Sequence, residues 1–203
     1  MIKNKFHCIL IHYDEIAIKL GNRSWFEKKL IQNIKNKIKG IKYRNIQNFS
    51  GRIFINHINQ KNQSSFFNAL KNVMGISSIH MMTHINASIN LIADESVALI
   101  KNYSSDFKTF KIFTKRQNKS FLKTSQELNT IVGEVIRTTF NKIVQLKNPD
   151  IELRIEIIDD MALIGIEKIA GYGGLPVGTS EKGLSLISSG IDSPVASFKM
   201  LKR

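Results

Sequence analysis

The order in which hydrophobic periodicity changes along the first half of the chain limits its fold more than any other feature. Phe6 to Tyr13 is a continuous apolar run of strand length. Phe26, Leu30, Ile34 and Ile38 then recur every fourth residue, which marks the inner face of a helix. Ser24 and Glu27 predict a capping box at its start and Gly40 its end. Lys28, Lys35 and Lys39 fall on the other sides of that helix. A strand near 41–49, a turn at Ser50-Gly51, a strand at 52–58, a helix near 64–73 and a strand near 76–85 follow. The order is therefore β-α-β-β-α-β.

That order is the order of a ferredoxin-like domain. Beyond it, a helix is expected from Leu91 to about Tyr103, and Phe107 to Thr114 alternates as a strand. Thr124 and Glu127 form a second capping box, followed by Leu128, Ile131, Val132, Val135, Ile136 and Phe140 at helical spacing. Asn148-Pro149-Asp150 is a turn signal. Ile151 to Ile158 and Met161 to Ile169 read as an antiparallel pair joined at Asp159-Asp160. Gly171 to Gly178, with four glycines and a proline in the stretch, reads as a linker. The fold class is mixed α/β, of the α+β kind, with no internal repeat.

Thirty Lys and Arg stand against 16 Asp and Glu, a formal charge of +14, which favours a polyanionic partner. RNA, DNA and an anionic membrane surface all qualify. No run of about 18 apolar residues is present and no signal-type stretch follows Met1, so a cytoplasmic protein without membrane attachment is expected. The single cysteine, Cys8, lies in an apolar strand and reads as a buried structural thiol. His7, His12, His57, His80 and His84 lack metal-ligand spacing.

One acid-free basic segment lies between Asp106 and Glu127. Lys108, Lys111, Lys115, Arg116, Lys119 and Lys123 lie there with no acid among them, interleaved with Phe107, Phe110, Phe113 and Phe121. Basic residues beside aromatics suit phosphate contacts with base or ribose stacking. Alternating Phe110 and Ile112 favour the core for the phenylalanines, with stacking on RNA as the alternative. Lys111, Lys115, Arg116 and Lys119 are the candidate RNA-binding residues.

A second chemical signal lies at Leu184 to Phe198, which reads as strand, tight loop and helix start. A short Ser/Gly loop entering a helix aims backbone N–H groups and the positive end of the helix dipole at an anion. Ser193 is a good N-cap and Pro194 a good first helical residue. No Gly-Lys-Ser/Thr follows the glycine and no three-glycine spacing precedes it, so neither a Walker A loop nor a dinucleotide fold is indicated. The glycine-rich cofactor loop of a methyltransferase is likewise missing from 181–203.

Residues 188–193 resemble the Ser-Gly-Gly-x-Asp-Ser loop of the ATP pyrophosphatase (PP-loop) enzymes, with Ser189 in place of the first glycine. In order and spacing, further segments resemble the tRNA 4-thiouridine synthetase (tRNA sulfurtransferase) family. These are Asp14 to Arg23 with Phe26-Glu27-Lys28-Lys29-Leu30, then Lys115-Arg116 with Lys119, Phe121 and Ser125, then Asn148-Pro149-Asp150, and Gly173 to Thr179. The resemblance implies a ferredoxin-like domain over 1–85, a THUMP RNA-binding domain over 86–170, a linker over 171–183 and the start of a PP-loop domain over 184–203. It also implies tRNA, gripped at its acceptor end, as partner, and ATP with Mg²⁺ as cofactors. Adenylation of a uridine C4 oxygen and displacement of AMP by persulfide sulfur would follow. On this pattern Leu186, Ile187, Ser188, Ser189, Gly190, Asp192 and Ser193 would hold ATP, with Asp192 the catalytic residue and the ligand for Mg²⁺.

In that family the catalytic domain continues well over a hundred residues past the loop, whereas this sequence ends at Arg203, and the family's sulfur-carrying cysteine is not among these residues. The 203 residues alone are therefore not expected to thiolate tRNA. One expectation is the tRNA-binding part and phosphate loop of a sulfurtransferase, completed by a second catalytic polypeptide and served by a sulfur-donor protein. The alternative is a non-catalytic tRNA-binding module with a vestigial PP-loop. Homodimerisation and a role in thiamine synthesis are further expectations carried by the family.

Overall fold

A computed structural model describes residues 5–103, 106–117 and 119–203. The chain divides into two compact units, one comprising 1–8 with 81–167, the other 9–80 with 168–203.

The unit of 9–80 and 168–203 contains most of β1 (Phe6–His12), α1 (Arg23–Lys37), β2 (Asn45–Phe49), β3 (Arg52–Asn56), α2 (Gln63–Leu70), the start of β4 (Ser78–Asn86), β9 (Lys168–Ala170) and α5 (Asp192–Leu201). Strands run in the order β2-β3-β1-β4, and β9 pairs antiparallel with Ser78 to His80 of β4. Phe26, Leu30, Ile34 and Ile38 are buried, as fourth-residue spacing requires of an inward helix face.

The expected Ser24–Glu27 capping box does not form. Helix α1 starts at Arg23 after two turns of 3₁₀ helix, and Asn22, the residue before it, makes no side-chain cap. This start carries the Glu27 carboxylate inward, where it accepts hydrogen bonds from Tyr13, Arg23 Nε at 2.7 Å and Asn48. Burial alone would raise the Glu27 pKa, but these three donors hold it below the usual carboxylate range.

The other unit carries the later part of β4, α3 (Ile89–Tyr103), β5 (Thr109–Arg116), α4 (Ser125–Phe140), β6 (Ile143–Val144), β7 (Ile151–Ile158) and β8 (Met161–Gly165). Here β4 pairs antiparallel with β8 and β8 with β7, while β7 and β6 flank β5 in parallel. One sheet face supplies Ile85, Phe110, Ile112, Leu153, Ile155, Ile157 and Ile164 to a core with Ile92 and Ile100 of α3 and Leu128, Val132 and Ile136 of α4. The Thr124–Glu127 capping box is present in full.

The expected strand from Met161 to Ile169 is two strands, because pairing with β7 ends at Gly165 and β9 bonds a different part of β4. A Cβ at Gly165 would lie 2.1 Å from the Met81 carbonyl oxygen, so the backbones approach at a distance that no side chain allows. No strand forms at 184–188. A strand forms only where a neighbouring strand takes up its backbone hydrogen bonds, and none of the described strands pairs with this segment.

Candidate functional site

Strand β5 carries the basic segment, and its register explains what each residue does. Phe110, Ile112 and Thr114 are buried toward the helices, while Lys111, Phe113 and Lys115 project from the opposite face. Parallel pairing sets Lys111 beside Glu152, Phe113 beside Arg154 and Lys115 beside Glu156. Lys111 Nζ lies 3.5 Å from Glu152 and 5.8 Å from the centre of the Phe113 ring. The Arg154 guanidinium sits 4.7 Å from the same ring and donates to Glu156 at 2.7 Å.

Arg154 is the residue that reading along the sequence missed. Its signal was the charged alternation Glu152-Arg154-Glu156 between buried Ile151, Leu153 and Ile155, which places three charges on the face away from the helices, where Glu156 is itself fully buried. Only the parallel register reveals that this face adjoins Phe113.

At the end of the strand and just beyond it, Lys115 and Lys119 are exposed, whereas Arg116 is half-buried. One Arg116 guanidinium nitrogen donates to the Phe121 carbonyl at 3.1 Å, closing the turn that displays Lys119. The start of β5 is held from the far end of the unit's sequence. Asp150 Oδ2 accepts from the N–H groups of Lys108 and Thr109, each at 2.9 Å, and from the Thr109 hydroxyl at 3.0 Å. Those backbone donors hold the Asp150 carboxyl below its usual pKa. The Asn148-Pro149-Asp150 turn signal is thus also a side-chain clamp on the basic strand.

The candidate phosphate loop lies in the other unit. Leu186, Ile187, Ser188, Ser189, Gly190 and Asp192 are exposed and Ser193 is half-buried. Helix α5 begins at Asp192, so Ser193 and Pro194 stand in its first turn rather than at cap and first positions, and Ile191 precedes it without a side-chain cap. The Ser193 hydroxyl instead folds back to accept from the Ser188 N–H at 2.9 Å and lies 3.0 Å from the Ser188 hydroxyl. Ser189 is not among the residues with positive φ, so a serine there carries no left-handed strain. Two facing hydroxyls and a helix start are the donors a phosphate group would need here, while the Ser188 and Gly190 amides are bonded to the loop's own serine hydroxyls. Among the described residues no cluster of His, Cys, Asp or Glu could hold a metal ion by itself, and no helix is long and apolar enough to cross a membrane. Cys8 is fully buried, and burial pushes its thiol pKa up to about 12, as expected of a structural residue.

Residues 8–80 match the family model described as the ThiI ferredoxin-like domain, 86–167 the THUMP domain, and 178–203 the model described as thiamine biosynthesis protein (ThiI). A probable tRNA sulfurtransferase of Thermoanaerobacter sp. (strain X514) is 40% identical over 196 residues, which are 96% of this chain and 50% of that protein. The crystal structure of PH1313 from Pyrococcus horikoshii aligns over 98% of this chain and 66% of its own, with a TM-score of 0.83 and 33% identity. A 4-thiouridine synthetase–RNA complex with bound ATP aligns over 98% of this chain and 50% of its own, with a TM-score of 0.76 and 30% identity. The chain spans about half the length of the curated relatives it matches.

Fold and matches together define a protein with a ferredoxin-like part, a THUMP part and the beginning of a ThiI-type PP-loop segment. The chain belongs to the tRNA sulfurtransferase family.

Proposed function

We propose that this chain binds tRNA at its acceptor end through the basic edge of the THUMP unit and contributes the phosphate loop for ATP-dependent 4-thiouridine synthesis. The observation that carries the reading is the run Lys111, Lys115, Arg116 and Lys119 on β5 and the turn after it. That run has Lys111 and Lys115 on the face away from the helices and Arg116 half-buried, with Lys115 and Lys119 exposed. Lys115 and Lys119 reach phosphates directly. Arg116 adds charge and orders the turn, and Lys111 is partly neutralised by Glu152. Contacts of this kind fix register on the RNA backbone without reading bases.

At the loop, Ser188, Ser189, Gly190 and Ser193 bind the phosphates through hydroxyls and amides, and Leu186 and Ile187 present backbone to adenine. Asp192, exposed in the first turn of α5, would hold Mg²⁺, whose positive charge would offset that of the phosphates as pyrophosphate leaves. ATP supplies the adenylyl group that makes the uridine C4 oxygen a leaving group. A persulfide sulfur carried outside these residues then displaces AMP, in the cytoplasm, with the remaining catalytic residues and a sulfur donor completing the reaction.

The test is competitive binding to the purified chain. An acceptor-stem minihelix should displace labelled tRNA while a DNA duplex of equal length does not. Equal displacement by the DNA would reduce the edge to a non-specific polyanion surface. In the same samples ATP should bind with Mg²⁺ and lose affinity at least tenfold in Asp192→Asn. Binding of tRNA with no binding of ATP would leave an RNA-binding module and remove the catalytic reading.

A further inference from the structure

The segment Gly171 to Gly178, so linker-like in composition, is bonded along its length to its own unit. Gly171 N–H donates to the Ser77 carbonyl at 2.9 Å, Gly173 N–H to Ile76 at 2.7 Å, and Gly75 N–H to Gly173 at 2.8 Å. Leu175 and Pro176 are buried. The segment also receives the far end of α5. Leu175 N–H donates to the Lys202 carbonyl at 2.9 Å, satisfying one of the carbonyls that a helix end leaves without an intrahelical partner. The Tyr172 ring meets Phe198 edge to face at 5.1 Å. A Cβ on Gly174 would lie 2.4 Å from that same Lys202 oxygen and 2.9 Å from the Lys202 Cβ. Only glycine lets the helix end come this close.

Among the described residues the opposite end of α5 has no comparable support. Residues 184–190 before it are exposed, and their hydrogen bonds run within the segment and to Ser193 and Ser197 of the helix itself. The helix is therefore gripped at its C-terminal end while its loop end stands open.

We propose that residues 172–175 are a strap that fixes the direction of α5, with Gly174 the positioning residue that lets the Lys202 carbonyl dock on Leu175. The strap sets where the 188–193 loop faces without touching the nucleotide. The inference rests on the phosphate-loop reading for its functional half only.

Neighbouring glycines supply the control. Gly173 and Gly174 both have positive φ, +67° and +77°, but a Cβ at Gly173 meets nothing within 4 Å. Gly173→Ala thus introduces the same backbone strain without the collision. Amide hydrogen exchange of 193–202 in the free protein should accelerate at least tenfold in Gly174→Ala and remain near wild type in Gly173→Ala. Tyr172→Ala should give a smaller acceleration through loss of the Phe198 contact. Unchanged protection in Gly174→Ala, or equal acceleration in both glycine variants, would overturn the strap.

The functional half is read in parallel from ATP affinity, which should fall in Gly174→Ala while tRNA affinity is unchanged. A loosened helix with unaltered ATP affinity would overturn the positioning role. Failure of wild-type protein to bind ATP would instead defeat the phosphate-loop reading, and the exchange result would still decide the strap.

Discussion

Arg116 ends β5 and Lys119 lies in the turn after it, and a double-mutant cycle separates their work. If Arg116 acts largely by ordering the turn through its bond to Phe121, Arg116→Gln and Lys119→Ala will not add. The double variant should bind tRNA little worse than the weaker single one. Full additivity in binding free energy would make Arg116 an independent phosphate contact. A second residue-scale prediction concerns Glu127, whose pKa is lowered to about 2 by the Thr124 backbone N–H, the Thr124 hydroxyl and Lys123. A carboxylate whose folded pKa is depressed contributes stability that is complete above its unfolded pKa, about 4.5, and lost as pH falls through the folded value. The difference in melting temperature between wild type and Glu127→Gln should therefore be largest above pH 5 and close between pH 4.5 and 2. A constant difference across that range would contradict the capping role. Both capping boxes were equally visible in the sequence. Only Thr124–Glu127 forms, because at Ser24–Glu27 the carboxylate has three donors inside the unit, two of which, Tyr13 and Asn48, lie outside α1, where local spacing cannot show them.

At the scale of elements, strand β5 couples folding to function, since alternate residues belong to the core and to the proposed RNA edge. Phe110 is fully buried among Ile155, Leu128 and their neighbours. Phe110→Ala should cost about 3–5 kcal/mol in denaturant unfolding, the range for deleting a large core side chain, whereas Lys115→Ala should change stability by less than about 0.5 kcal/mol. A small effect at Phe110 would mean that β5 is not central to this core. Periodicity identified β5, α4 and β7 to within two or three residues because each buries a regular stripe. The split between β8 and β9 was hidden, since a break in pairing leaves the apolar pattern intact. The unformed strand at 184–188 was hidden for a related reason: an apolar run records a tendency, and a parallel strand exists only where neighbours bond it.

For the whole molecule, the charge of +14 says only that a polyanion is favoured; its placement makes the claim specific. The resemblance of ordered motifs located the family, and matches over 8–80, 86–167 and 178–203 agree with it. What remained illegible was the pairing of Lys111, Phe113 and Lys115 with Glu152, Arg154 and Glu156, about forty residues on, since parallel register leaves no local trace. The most direct measurement is the affinity of the purified chain for tRNA across a potassium chloride series, wild type against Lys115→Ala/Lys119→Ala. Each phosphate contact removed should lower the slope of log affinity against log salt by about one. The double variant is predicted to bind more weakly with a slope shallower by about two, and an unchanged affinity and slope would contradict the assignment of this edge to tRNA.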